Sequence, residues 1–187
     1  MEKRREIFLS ALQDKDDEIK KAAAEAMENL TARSRLVELA QKIASAPMLE
    51  KVRAIYAIGA LKGPSVAEAL IKASKDPSED VRAAAVRVLG GLPDANVLAH
   101  IVEALKDASA IVQRVALEAM AGFRDARILP AVMPLLKNQD PGVVERALEL
   151  AGRIGDKRTE EAMLYFAVKG NHKMRLAAIK ALGEMDV

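Results

Sequence analysis

The sequence predicts an all-α fold, an α-solenoid of about six stacked antiparallel helix pairs. Three observations carry that reading. The first is a period of 31 residues: from Ala23 the step meets Ala54, Ala85, Ala116, Ala147 and Ala178, and from Phe8 it meets Leu39, Leu70, Ile101, Val132 and Met163. A third column holds Leu30, Leu61, Leu92, Phe123, Ile154 and Met185. The second is composition: 51% of residues are hydrophobic but only 3% are aromatic, so Ala, Leu, Val and Ile do the packing. Ala and Leu favour helices, and the aromatic side chains that suit strands are scarce. The third is punctuation. One column reads Asp16, Pro47, Ser78, Ser109, Asp140 and Asn171. Five of these six are residues whose side chains accept hydrogen bonds from the free amides of a helix's first turn.

Each period therefore holds two helices joined by a turn, and the cap column opens the second. In period one that helix follows Asp16. In period two, "PMLEKVRAIYAIGALKG" (47–63) is helical but carries two apolar stripes. Ala54, Ala57, Ile58 and Leu61 form one, and Leu49, Val52, Tyr56 and Ala60 form the other, where a solvated helix needs only one. In period three the helix after Ser78 closes into "GGLPD" (90–94), and in period four a first helix over 95–107 precedes one that closes into "GFRD" (122–125). Period five pairs a helix over 126–138 with one that Asp140 caps, Pro141 starts and "RIGD" (153–156) ends. Proline is tolerated at the first helical position. Pro130 falls in the first turn of its helix, but Pro134 lies in the interior and is expected to bend it. In period six the second helix follows Asn171. Apolar columns three, seven, ten and fourteen places after each cap give one helix face. A single pair this small cannot bury that face, whereas stacked pairs share one core. The periods, about 1–31, 32–62, 63–93, 94–124, 125–155 and 156–187, fill the chain and make a single domain, 1–187. With helices about 8–10 Å apart, the rod is expected to be roughly 50–60 Å long.

Charge and composition exclude several classes. Twenty-nine basic and 27 acidic residues give a net charge of +2, so bulk charge argues for no polyanionic partner. With no cysteine, disulfides, thiolate metal sites and thiol nucleophiles are excluded. The run "IFLSAL" near the start is too short for a signal-peptide core, and no apolar run approaches the ~18 residues of a membrane span. The expectation is a soluble, cytoplasmic protein with no membrane partner.

The segments "VRAAAVRVLGGLPD" (81–94) and "MRLAAIKALGEM" (174–185) resemble the short HEAT-like repeats of phycobilin-lyase-type proteins and of artificial helical-repeat scaffolds. The match covers all six periods. Tetratricopeptide and ankyrin repeats, with periods of about 34 and 33 and different signatures, do not fit. The resemblance implies that the second helix of each pair lines a concave face and that its outward positions are the contact positions. The family hosts scaffolds, lyase subunits, hydroxylases and DNA-repair enzymes. The leading expectation is a non-catalytic scaffold for a protein or peptide, and the resemblance alone offers the alternative of a lyase-like subunit acting on a chromophore-bearing protein. Because this fold hosts both scaffolds and enzymes, the face itself has to carry the argument.

Carried onto period two, the contact positions are Met48, Leu49, Val52, Arg53, Tyr56 and Ala60, apolar at five of six. Ala83, Ala84, Ile111 and Val115 continue the patch into the neighbouring periods. Charges over the whole face nearly cancel, whereas a nucleic-acid face carries a basic excess. The expected partner is thus a protein or peptide, anchored on Leu49, Val52 and Tyr56, extended by Met48, Ile111 and Val115, and oriented by Arg53, Arg87 and Arg114. Self-association through the same patch is a further option. A register shift competes with this reading: Val52 would sink into the core place held by Val81 in period three, because Glu50 occupies the column of Ile19, Val81, Val112, Val143 and Met174.

Neither a catalytic residue nor a cofactor or metal is expected. His100 and His172 lack a second His at the spacing of helical metal ligands. HEAT-like iron hydroxylases use repeated His-Glu pairs, but here Ile101 and Lys173 follow the two histidines. Asp94, Asp125 and Asp156 recur in the turn after the second helix, and successive layers separate them by ~10 Å, too far for paired glycosidase carboxylates. Their expected roles are capping or pairing with basic residues such as Arg82. There is no Ser in an elbow-like turn to serve as a nucleophile.

Overall fold

The computed structural model describes residues 2–61, 63, 65–93 and 96–184, and among these there is no strand. The helices are α1 (Glu2–Ala11), α2 (Asp17–Ser45), α3 (Met48–Gly59), α4 (Ser65–Ala73), α5 (Glu79–Gly90), α6 (Val97–Ala104), α7 (Ala110–Ala119), α8 (Leu129–Val132), α9 (Pro141–Ile154), α10 (Glu160–Lys169) and α11 (His172–Glu184). Short 3-10 segments cover Ala126–Ile128, Met133–Lys137 and Lys157–Thr159. The fold is an all-α repeat solenoid. Its core follows two of the sequence columns: Ala23, Ala54, Ala85, Ala116, Ala147 and Ala178 are all buried, as are Leu39, Leu70, Ile101, Val132 and Met163, while Phe8 and the column of Leu30, Leu61, Leu92, Phe123 and Ile154 are half-buried at its edge. Met185 and Asp94 lie outside the described residues.

The caps form at four of the five polar positions. Asp16 accepts from the Glu18 amide at 2.8 Å, Ser109 from Ile111 at 3.2 Å, Asp140 from Val143 at 2.9 Å and Asn171 from Met174 at 3.0 Å. The Ser78 side chain caps nothing. Its amide instead donates to Asp76 Oδ1 at 2.9 Å, so the carboxylate two residues earlier organises the helix start.

Two elements depart from simple pairs. α2 is one helix of 29 residues that runs through the expected turn between periods one and two. The junction "NLTARSRL" (29–36) has none of the Gly, Pro or Asp found in "GGLPD", "GFRD" and "RIGD". The Thr31 and Ser34 hydroxyls donate to the carbonyls of Met27 and Leu30 at 2.9 and 3.0 Å, so even the residues prone to turns bond back along the helix. The second departure is at Pro134. α8 gives way there to the 3-10 segment Met133–Lys137. A proline has no N–H to donate and its ring crowds the carbonyl four residues back, so the tighter helix replaces the α-ladder.

The second helices, α3, α5, α7, α9 and α11, pack directly on one another, while successive first helices barely meet. The stack therefore closes toward the second helices, whose row is its inner side. Glycine makes the close approach possible. A Cβ on Gly90 would stand 2.5 Å from the Ala119 Cβ and 3.0 Å from its Cα, and side-chain atoms on Gly59 and Gly152 would strike Val88 and Ala181. These glycines serve packing rather than turns. Gly155 is different: at φ +67° it ends α9 in the left-handed conformation that glycine adopts without strain.

A polar ladder ties the periods together, and sequence reading missed it. Lys51 donates to Asp76 Oδ2 at 2.7 Å, and Arg82 meets Asp107 with two bonds of 2.7 and 2.8 Å. Asn138 donates to Gln113 Oε1 at 2.8 Å. Each rung joins the start of a second helix to the end of the next period's first helix. Arg82 thus pairs with Asp107 rather than with Asp125 or Asp156. Asp125 and Asp156 instead cap the Arg127 and Arg158 amides and bind those same guanidinium groups. The Asp156 carboxyl is thereby drawn down to about 2, its hydrogen bond to Arg158 contributing most.

The ladder makes stability depend on pH. The Arg82 guanidinium holds the Asp107 carboxyl below its ordinary 3.8, against the opposing effect of burial and with help from the Ser109 amide. Burial pushes Asp76 up, but the Lys51 ammonium, the Ser78 amide and the Arg82 charge together outweigh it and leave it lowered. Carboxyls depressed in the folded state contribute stability above their unfolded pKa and lose it as pH falls below. Thermal unfolding is therefore expected to shift to lower temperature as the pH drops below about 4. Asp107→Asn should be less stable than the native chain at neutral pH, and the gap should narrow as the pH approaches 2. A gap independent of pH would show that the Arg82–Asp107 pair does not drive the effect.

Candidate functional site

α3 starts at Pro47, which offers no amide and no side-chain acceptor, so its first turn has no side-chain cap. The helix is held from within by Ala54, Ile55 and Ile58, all buried, which match Ala85, Val86 and Leu89 of α5. Its register is therefore that of its sisters. Glu50 stands exposed in the column where Val81, Val112 and Val143 are buried, and Val52 is half-buried at the edge of the core without entering that place. Met48, Leu49 and Tyr56 are left outward, 47%, 56% and 50% exposed, beside the exposed Arg53 and Ala60.

The patch does not continue as expected. Val115 is only 4% exposed, and Ala83 and Ala84 are buried. α5 and α7 approach closely where Gly90 meets Ala119, and the closure covers the facing flanks of both helices. Ile111 remains exposed, two periods from Leu49, as an isolated apolar residue.

Beyond α3 the inner face is laced with charge. Arg87 lies 3.5 Å from Glu118, which also meets Arg146 at 3.4 Å, and Arg146 reaches Glu149 at 2.9 Å. Lys173 lies 3.7 Å from Glu145. Arg114 rests on the start of α9: a side chain on Gly142 would stand 3.0 Å from its Cδ. Exposed pairs of this kind add little to stability, but they give the surface alternating charge. Two shallow grooves run along it, about 310 Å³ between Arg87, Ile111, Arg114, Glu118 and Arg146, and about 280 Å³ between Glu149, Arg153, Leu176 and Lys180.

Roomier clefts lie elsewhere, along α2. One of about 790 Å³ is lined by Leu12, Ala24, Met27, Ala60 and Leu61, and one of about 590 Å³ by Leu36, Val37, Leu61 and Val66. They open because α2 runs straight on, leaving positions that deeper periods bury, such as Ala24 in the column of Ile55 and Val86, uncovered. The missing turn residues at 31–35 were the available signal. His100 is half-buried with Nδ1 3.9 Å from Glu103, and His172 is exposed. Among the described residues no group of three or more His, Asp or Glu could hold a metal ion, and no helix is long and apolar enough to cross a membrane.

The sequence family described as HEAT repeats matches residues 36–121 and 98–183. The chain is a HEAT-repeat protein. No curated protein is similar enough to this HEAT array to count as a relative. Among solved structures it is similar to the complex of CpcE and CpcF of phycocyanin lyase from Nostoc sp. PCC7120, with 21% identity and a TM-score of 0.66 over 77% of this chain. The array spans 62% of the length of that protein. It is also similar to a designed armadillo repeat protein in complex with the peptide (KR)4, with 18% identity, a TM-score of 0.61, and coverage of 96% of this chain and 98% of that one. An engineered protein with 18% identity and a TM-score of 0.62 covers 98% of this chain and 96% of its own. At these identities the likeness is one of fold.

Proposed function

We propose that this HEAT array is a non-catalytic scaffold that holds a protein or peptide on its inner face, anchored at α3. The observation that carries the reading is the exposure of Met48, Leu49 and Tyr56 on a helix whose register leaves them no structural task. Exposed apolar clusters of this kind mark contact sites, and Tyr is prominent among residues that dominate interfaces. Burying Tyr56 alone removes about 150–250 Å² from water. Arg53 and Arg87 flank the anchors, and the grooves between Arg87 and Lys180 offer alternating charge to an extended segment. The likeness to a peptide-bound designed repeat protein and to one subunit pair of a lyase supports binding of protein or peptide.

Leu49→Ser combined with Tyr56→Ala should abolish capture of the partner while moving the melting temperature by no more than about 2 °C, since surface substitutions stay within about 0.5 kcal/mol. Retained capture, or a melting temperature several degrees lower, would sink the reading. The lyase-like alternative rests on the resemblance to CpcE and CpcF. Absorbance spectra of the chain mixed with a bilin test it, and an unchanged spectrum counts against it.

A further inference from the structure

The last helix pair breaks the polar pattern of its own columns. Tyr165 stands where earlier periods place Gln41, Lys72, Glu103 and Pro134, and Val168 stands where period two has Ala44 and the next three have Lys75, Lys106 and Lys137. Both are exposed, Tyr165 at 61% and Val168 at 72%, and Leu164 beside them is 54% exposed. A further repeat stacked on this end would cover Ile179, whose column is buried at Ile55, Val86, Leu117 and Leu148. It would not cover Tyr165 or Val168, because their columns face solvent wherever a following repeat is present. Tyr165 and Val168 therefore do not owe their exposure to an open end of the stack, whereas Leu164 lies in the column of Ile71, Val102 and Met133, which a following repeat half-covers. The Tyr165 ring sits edge-on to Phe166 at 5.2 Å, and Phe166 packs on the core, so the anchor is held before any contact forms.

We infer that α10 pairs with α10 of a second copy of this chain, antiparallel about a two-fold axis between Leu164 and Tyr165. The exposed positions of the helix are symmetric about that point: Glu160 and Glu161, then Leu164 and Tyr165, then Val168 and Lys169. Helical spacing places Glu161, Leu164, Tyr165 and Val168 on one stripe. An antiparallel partner sets Leu164 against Tyr165 and brings the acidic start of one helix level with Lys169 of the other. A self-complementary patch is what a two-fold interface requires, and the charge order favours the antiparallel arrangement over the parallel one, which would oppose like charges. One helix face per copy is a small interface, so dissociation constants of about micromolar order are expected.

The test is analytical ultracentrifugation of the full chain from low to high micromolar concentration. The native chain should show a monomer–dimer equilibrium. Tyr165→Lys, which sets the residue of Lys72 in its column against Leu164 of the other copy, should raise the dissociation constant about 100-fold or more, because each substitution enters the interface twice. Its circular dichroism and melting temperature should remain native. Glu161→Lys or Lys169→Glu alone should weaken the dimer, and mixing the two variants should restore association. A chain that stays monomeric throughout, a dimer indifferent to Tyr165→Lys, or single charge reversals without effect would overturn the inference. So would a dimer lost only in the Leu49→Ser/Tyr56→Ala chain, which places the contact on α3. The α10 contact and the α3 binding reading stand or fall separately.

Discussion

Truncating Leu89 to alanine is expected to lower the stability of this chain by about 3–4 kcal/mol, within the usual range for a fully buried leucine whose site cannot collapse. For a chain of this length that corresponds to a fall of about 6–16 °C in melting temperature. Leu89 is fully buried near the end of α5, the second helix of the third period, with α3 on one side and α7 on the other. In a stacked array each period touches only its neighbours. A cavity at this level therefore weakens both junctions of the central period, and the two halves should begin to unfold separately, splitting one thermal transition into two. Leu49→Ala is the control. The side chain is of the same type but half exposed, and its loss should change stability by no more than about 0.5 kcal/mol. Calorimetry of both variants checks the contrast, and equal effects would mean that α3 does not present Leu49 to solvent.

The glycine column gives a second strong expectation, one in which the same substitution changes sign with position. Gly→Ala in a helix ordinarily gains about 1 kcal/mol from propensity. At Gly90 the added methyl meets the Ala119 Cβ at 2.5 Å and its Cα at 3.0 Å, and at Gly152 it meets the Cβ of Ala181. Neither neighbour has a flexible side chain to swing aside, so α5 and α7, or α9 and α11, must separate. Overpacking costs of about 1–3 kcal/mol then outweigh the propensity gain. Gly90→Ala and Gly152→Ala should each lower the melting temperature by several degrees. At Gly183 a Cβ meets nothing within 4 Å, so Gly183→Ala should raise it slightly. Three equal shifts would show that the glycines are not contact points between the second helices.

Much of this molecule is legible in its residues. The recurring alanines and the leucine and isoleucine column name the core, because a position that is buried once in a repeat is buried every time its surroundings recur. The cap column names most helix starts, because capping needs only a short side chain and the amides two or three residues on. Pro134 announces the break in its own helix. The exposed stripe on α3 could also be read, since the cap residue and the core column fail together at Pro47 and Glu50.

Other features needed the packed structure. Val115, Ala83 and Ala84 read as surface from their place on a helix, but burial depends on how near the next helix comes, and that distance is set by glycines one helix away. Arg82 has aspartates nearby in sequence, yet it pairs with Asp107, because the stacking of one period on the next sets which carboxylate comes within reach. The sequence by itself determined the period, most of the helix starts and most of the core, all consequences of a recurring local pattern. Only the tertiary structure decided the spacing between helices, and with it which apolar side chains stay in water and which charges meet, since those are properties of two surfaces brought together.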